Sequence, residues 1–151
     1  MKREKELLRK KLIDFQLKIA ELYHTLKEQE DRFKSRENAL YLNLFEVLDA
    51  FENLAKTIKA KEDGFDKTTR RIAKNISSIE QKLARSLKLR GIIPVEFKDN
   101  QARMEYCKIV ETRQDPQMEN ESILSIIKTG YLDKNSNKVL RKAEVVIIVN
   151  R

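Results

Sequence analysis

The first sixty residues contain neither proline nor glycine, and this absence constrains the fold more than any other feature of the chain. Leu, Glu, Lys and Arg predominate there, and these side chains lose little rotamer freedom in a helix. The segment from Lys2 to about Ala60 is therefore predicted to form one helix. At about 1.5 Å per residue it would extend roughly 90 Å, too long to pack against its own chain throughout.

Apolar residues near the start of this helix recur in alternating steps of four and three residues. This spacing is typical of the seam of a left-handed coiled coil, which needs a partner helix. A second copy of the same chain is the simplest partner, so residues 1–39 are predicted to form the coiled-coil helix of a homodimer. The predicted seam residues are Leu8, Leu12, Phe15, Ile19, Leu22 and Leu26.

Residues 40–91 have a broader apolar face, which is typical of a helix in a globular bundle. Gly64 interrupts the first helix, Asp66 or Thr68 is the predicted N-cap of a second one, and Gly91 is predicted to end it. We expect a helical hairpin, and two hairpins from two chains would close a four-helix bundle. The predicted dimer contacts in this segment are Leu44, Val47, Leu48, Phe51, Ile72, Ile76, Ile79 and Leu83.

After the hairpin the sequence changes to short segments rich in Ile and Val, separated by polar turns. The segments IIPVEF, MEYCKIVE, SILSIIKT and AEVVIIV indicate a small β domain over residues 92–151. The run VVIIV does not alternate between apolar and polar residues, so we expect neighbouring strands to cover both of its faces, or one face to be a contact surface. The predicted fold class is α+β.

The formal net charge is +8, and residues 61–91 supply +5 of it, with nine basic and four acidic side chains. A basic face can attract nucleic acid, anionic lipid or an acidic protein surface, although a solvated helix face is the plainer interpretation. No apolar run approaches the ~20 residues needed to span a bilayer. The N-terminus has no apolar signal core, so a cytoplasmic location without membrane contact is expected.

The sequence contains no Gly-rich phosphate loop, no metal-ligand spacing and no specific nucleophile–base pairing. We therefore expect a protein that is not an enzyme and that holds no cofactor or metal. Cys107 is the only cysteine, which excludes an intramolecular disulfide, and its apolar neighbours predict a buried side chain.

Two segments, LFEVLDAFENL and KTGYLDKNSNKVLRKAEVVIIV, resemble motifs of the GrpE family, the nucleotide exchange factors of DnaK-type chaperones. The family's bundle helix carries a pattern similar to LLPVLDNLERAL, and here Glu46 stands at its proline. Its closing motif is an apolar strand, a Gly-Tyr pair, a loop and a strand similar to VLRPAxVxV. Lys142 replaces the usual Pro or Ala, and the loop is about two residues longer. The matching positions are Leu44, Phe45, Val47, Leu48, Asp49, Phe51, Glu52, Gly130, Tyr131, Val139, Leu140, Arg141, Ala143, Val145 and Ile147.

The resemblance implies a homodimer that binds the ATPase domain of a DnaK-type chaperone and accelerates ADP release by holding the cleft open. This chain itself would bind no nucleotide. The implied partner-binding positions are Ile127 and Ile147 for apolar contact and Lys138 for a polar or ionic one. Arg141 belongs to the same region and is expected to orient the hairpin.

Two alternatives remain open at this stage. One is a diverged GrpE-like scaffold that keeps the dimer without exchange activity. The other is a basic coiled-coil dimer that binds nucleic acid, with the β unit as a cap. The β segment lacks the dense alternation of aromatic and basic residues that stacks bases, so the sequence does not favour nucleic acid as a partner.

Overall fold

The computed structural model describes residues 1–150, which form two α-helices followed by six β-strands. Helices α1 and α2 span Lys2–Lys61 and Lys67–Leu89, and a 3-10 turn at Glu62–Gly64 separates them. The α+β prediction is confirmed. Neither helix, within the described residues, has an apolar stretch long enough to cross a membrane. The strands are β1 Ile92–Pro94, β2 Cys107–Arg113, β3 Ile123–Lys128, β4 Tyr131–Asp133, β5 Lys138–Arg141 and β6 Ala143–Ile148.

The chain divides into two compact units, Met1–Leu40 and the part from Tyr41 onward. The first unit is the N-terminal part of α1, and all six predicted seam side chains are more than half exposed there. An apolar stripe of this kind has no core of its own to bury it. Packing against another helix would bury this stripe and stabilise it.

Both ends of α2 follow the predicted capping chemistry. The backbone N–H of Thr69 donates a hydrogen bond to Asp66 Oδ1 at 2.7 Å. Hydrogen bonding by the Thr69 side chain, and next by this N–H, lowers the pKa of the exposed Asp66 carboxyl. The helix ends at Leu89, and Gly91 has a positive φ of 85°. The Lys134 N–H donates to the Gly91 carbonyl at 2.8 Å, which ties the β4–β5 turn to the end of the helix. The predictions for Asp66 and Gly91 are confirmed.

The strands form two three-stranded sheets, and the closing segment of the chain contributes to both. The first sheet has the order β1-β4-β5 and is antiparallel; in the second, β6 lies between β2, which is parallel to it, and β3, which is antiparallel. The segment AEVVIIV predicted β6 correctly, whereas the single closing strand from Val139 to Ile147 that the family resemblance implied was wrong. The strand is divided at Lys142, because β5 pairs in the first sheet whereas β6 pairs in the second.

Each sheet has its own apolar core. The first core joins the hairpin to the β1-β4-β5 sheet, and its buried members are Tyr41, Phe45, Leu48, Leu87, Ile92 and Tyr131. The second core lies on the β2-β6-β3 sheet and consists of Cys107, Ile123, Ala143, Val145 and Ile147. Four consecutive residues of β6, Val145 to Ile148, are buried, so both faces of the non-alternating run are covered as expected. Burial of Cys107 is likewise confirmed.

Gly130 lies where two backbone segments approach each other too closely for a side chain. A Cβ added there would lie 2.5 Å from the backbone nitrogen of Ala143 and 3.0 Å from the carbonyl oxygen of Arg141. The Ala143 N–H already donates to the Tyr106 carbonyl at 2.9 Å, so it cannot move without weakening that bond. We expect Gly130→Ala to lower the free energy of unfolding by about 1–3 kcal/mol, the usual cost of overpacking.

Urea denaturation of Gly130→Ala and of Gly64→Ala provides the comparison. An added Cβ at Gly64 meets no atom within 4 Å, so this control should be neutral or slightly stabilising. Equal stability of the two variants would show that the close approach at Gly130 can relax at no cost.

Candidate partner-binding surface

The second sheet exposes three apolar side chains at irregularities in its strand pairing. Its register shifts at three places, and each shift leaves one apolar residue without a partner on β6. These residues are Val110 on β2 and Leu124 and Ile127 on β3, and they are 43%, 38% and 50% exposed. A β-bulge re-aims the side chain of its extra residue. The bulges therefore place apolar side chains at the surface of a sheet whose central strand is buried.

Strand β3 combines this exposure with an edge that is open beyond its first residue. Among the six strands it pairs with β6 alone. On its other side the Ile123 N–H donates to the Asn100 carbonyl at 2.8 Å. Ile126 beside the bulge is also exposed. Edge strands usually carry charged residues or proline, which prevent unwanted pairing. An edge with three exposed apolar residues is instead typical of a contact surface.

The guanidinium group of Arg141 links α1 to the residue that follows β3. Arg141 Nη1 and Nη2 donate hydrogen bonds to the two carboxylate oxygens of Asp49 at 2.7 and 2.6 Å, and each side chain is only 16% exposed. The same guanidinium also donates twice to the Thr129 carbonyl, at 2.7 and 3.1 Å. Its central carbon lies 5.4 Å from the ring centroids of both Phe45 and Tyr131. A planar guanidinium group that makes all these contacts has little rotational freedom.

A second hydrogen bond reinforces the attachment at the same point of the chain. Thr129 follows directly after β3, and its hydroxyl donates to Glu52 Oε1 on α1 at 2.9 Å. The carbonyl of Thr129 is held by Arg141 and its hydroxyl by Glu52. The strand that carries Ile127 is therefore fixed at one end to the helix.

Tyr131 forms the apolar part of this joint. Its ring stacks on Phe45 with a centroid separation of 4.1 Å and an interplanar angle of 6°. Burial raises the pKa of Tyr131 to about 12, and the nearby Glu52 carboxylate adds to the effect. A raised pKa in the folded chain favours the neutral phenol. This contribution to stability is complete below about pH 10 and is lost as the pH approaches 12.

The four predicted partner-binding residues occupy three kinds of environment. Ile127 is exposed at a bulge of β3, and Lys138 is exposed at the start of β5 in the other sheet. Arg141 is engaged in the ion pair with Asp49. Ile147 is 4% exposed and belongs to the second core. The structure therefore leaves Ile127 and Lys138 accessible to a partner, whereas Arg141 and Ile147 are occupied within the chain.

The predicted dimer contacts of the hairpin are also divided by burial. Val47, Ile72 and Ile79 are exposed, and Phe51 and Ile76 are half-buried. By contrast, Leu48 is buried in the first core, and Leu44 and Leu83 pack against that core. The exposed members remain available to a second chain.

The sequence interpretation missed the Asp49–Arg141 pair and the three bulges. Asp49 stands alone as a charge in VLDAF, but Lys142 follows Arg141 in VLRKA, so the sequence indicates such a pair only weakly. Isolated opposite charges in apolar segments are often paired, because an unpaired charge would be costly to bury. The bulges left only a weak signal, the adjacent apolar pair of Ile126 and Ile127.

Comparisons with known proteins place these features in a family context. A sequence model described as GrpE matches residues 1–149. Protein GrpE from Methanosphaera stadtmanae is 25% identical over 123 residues, which cover 82% of this chain and 65% of that relative. The chain thus spans somewhat less than two thirds of the length of the curated relative it matches.

Proposed function

Because the chain belongs to the GrpE family, with a match over residues 1–149, we propose that it is a nucleotide exchange co-chaperone of a DnaK-type chaperone. The observation that carries this proposal is the exposed, bulged edge of β3, which the Arg141–Asp49 ion pair attaches to α1. The ion pair joins the two segments that carry the family resemblance. A rigidly mounted apolar edge suits a protein that holds two lobes of a partner apart.

The proposed mechanism is linkage between two binding equilibria. A protein that binds the open form of a nucleotide-binding cleft better than the closed, ADP-bound form must lower ADP affinity by the same factor. Shifting an equilibrium from about 1:99 to 99:1 requires roughly 5.5 kcal/mol of differential binding. A flexible contact would lose much of that free energy to ordering. Because the hydrogen bonds at Thr129 already hold β3 in place, little further free energy would be spent on ordering this strand when the partner binds.

The four predicted partner-binding residues would have different roles in this mechanism. Ile127 would contact the ATPase domain directly through its exposed side chain, and Lys138 would form a polar or ionic contact from the β4–β5 hairpin. Arg141 would hold the hairpin and β3 in position through Asp49 and Thr129. Ile147, buried in the second core, would support the sheet beneath the contact surface.

We further propose that the active form is a homodimer and that each chain has three segments. Residues 1–39 would form the coiled coil, residues 40–91 a hairpin in a four-helix bundle, and residues 92–151 the β domain. The exposed seam on α1, together with the exposed Val47, Ile72 and Ile79, supports this arrangement. A dimer would give the hairpin a second apolar partner and so brace the β domain.

The release of a fluorescent ADP analogue from a DnaK-type chaperone tests the proposed activity. We expect this protein to accelerate release at substoichiometric concentration, because each dimer acts and dissociates repeatedly. Tight binding without acceleration would instead support the inactive scaffold. No binding to any DnaK-type chaperone would contradict the proposed function altogether.

Replacing Lys138 with glutamate should weaken binding to the chaperone by about tenfold, equal to ~1.4 kcal/mol. The reason is that the reversed charge repels the acidic or polar group expected opposite Lys138. Helix content should not change, because Lys138 is exposed and lies outside both helices. The measurement is the dissociation constant by titration calorimetry, with circular dichroism for helix content.

The matched control is Lys134→Glu, which makes the same charge change in the same hairpin turn. It should leave the dissociation constant within about twofold of the wild-type value, well below the ~1.4 kcal/mol of a tenfold change. Equal losses in the two variants would indicate a general charge effect, and an unchanged constant for Lys138→Glu would remove that residue from the site.

A further inference from the structure

Helix α2 carries a face on which every charged side chain is basic. At about 100° per residue, seven cations fall within an arc of about 120°. All seven are exposed, and they extend over about 32 Å of helix at 1.5 Å per residue. These residues, named here the basic track, are Lys67, Arg70, Arg71, Lys74, Lys82, Arg85 and Lys88.

The track is opposite the apolar face of the same helix. Ile72, Ile76 and Ile79 lie on the far side, and Glu80, the single acidic residue of α2, lies there too. Within the part of the chain that the structure describes, no member of the track takes part in an ion pair. Seven unpaired like charges repel one another, so an anionic partner would stabilise this face.

The positive surface continues beyond the end of the helix. Arg85 and Lys88 line a groove of about 920 Å³ between α2 and the β1–β4 edge, and Lys98 and Lys134 line it as well. Glu96 is the one acidic residue among the described lining residues. At the other end, Glu62 and Asp63 share a shallow depression with Arg70 and Lys74. No cation lies between Lys74 and Lys82, so the C-terminal part of the track, which Lys98 and Lys134 extend, is its most positive part.

We propose that the basic track binds the phosphate backbone of nucleic acid, independently of base sequence and in addition to nucleotide exchange. A duplex carries one negative charge per roughly 1.7 Å of its axis, so a face about 32 Å long meets more phosphates than it has cations. The sequence did not favour nucleic acid because the β domain lacks a base-stacking platform. Phosphate binding requires no such platform, because it depends on charge alone.

The composition of the track favours nucleic acid over an acidic protein. Protein interfaces depend on a few apolar or aromatic anchors in desolvated pockets near their centre. The centre of the track has none, and the uncharged positions of its arc between Lys74 and Lys82 are Ser78 and Gln81. The exposed Leu89 lies at the far end of the arc, where α2 ends. A surface with cations and no anchor at its centre is suited to a regular array of phosphates.

Binding of a fluorescently labelled short DNA duplex of mixed sequence, followed by anisotropy from about 50 to about 200 mM salt, tests the proposal. The triple variant Arg71→Gln, Lys82→Gln, Arg85→Gln should bind at least tenfold more weakly at the lower salt concentration. The log–log salt dependence should become shallower by up to about 2.7, since each lost phosphate contact removes about 0.9. Glutamine has nearly the helix propensity of lysine and arginine, so the helix should be retained.

The matched control replaces Lys10, Lys27 and Lys34 with glutamine, which removes the same net charge from outward positions of the first unit. It should bind the duplex within about twofold of wild type. Equal weakening in both triple variants, or no duplex binding at about 50 mM salt, would overturn the proposal. Equally tight binding of a polyglutamate of matched charge would also overturn it, in favour of an acidic protein partner. Because the track lies outside the exchange surface, ADP release by the α2 variant should match wild type.

Discussion

Replacing Arg141 with alanine is expected to lower the free energy of unfolding by about 3 kcal/mol, among the largest effects of any single substitution in this chain. The substitution leaves the Asp49 carboxylate nearly buried without its cation, and removal of one partner of a buried pair typically costs about 3–5 kcal/mol. The lower end applies because both side chains remain 16% exposed. The Thr129 carbonyl also loses its two donors, so β3 should become more mobile at its attached end.

A double-mutant cycle measures the part of this effect that belongs to the pair. Chemical denaturation of Arg141→Ala, Asp49→Ala and the double variant should give a coupling energy of about 1–3 kcal/mol. Arg141→Lys should restore only part of the loss, because an ammonium group cannot make the bidentate contact or stack between Phe45 and Tyr131. Additive single effects would mean that the ion pair contributes nothing beyond its separate groups.

Replacing Phe45 with alanine should destabilise the hairpin and the first sheet together, by about 3–5 kcal/mol. Phe45 is fully buried, stacks on Tyr131 and lies beneath the Arg141 guanidinium, so the truncation leaves a cavity at the joint between α1 and the first sheet. Thermal unfolding followed by both circular dichroism and tyrosine fluorescence should shift in parallel.

The control for Phe45→Ala is Leu42→Ala, three residues earlier on the same helix. Leu42 is exposed, so its truncation removes apolar surface without a cavity and should cost less than about 0.5 kcal/mol. A small effect at Phe45, comparable with that at Leu42, would show that the first core can close around the missing ring. It would also show that the β domain does not depend on this joint.

Local chemistry predicted the helical half of the molecule well. The absence of helix breakers before Gly64 predicted α1, the carboxylate of Asp66 predicted the start of α2, and Gly91 predicted its end. Each of these signals acts within a few residues of the chain, where propensity and capping decide the structure. The buried β6 was also predictable, because a strand covered on both faces needs no polar residues.

Features that depend on distant partners were not predictable. The division of the closing strand at Lys142 follows from β5 and β6 pairing with different strands, which no local pattern encodes. The Asp49–Arg141 pair joins positions 92 residues apart. The same limit applies to Ile127 and Ile147, which look equivalent in the sequence. One lies at a bulge on an edge strand, whereas the other lies on a central strand.

The affinity of this protein for a DnaK-type chaperone, measured by titration calorimetry with and without saturating ADP, tests the proposed mechanism most directly. We expect ADP to weaken binding at least about fivefold, and by the same factor by which this protein weakens ADP binding. Equal affinity for the ADP-bound and nucleotide-free chaperone would contradict the mechanism, because a ligand that binds two states equally well cannot shift the equilibrium between them.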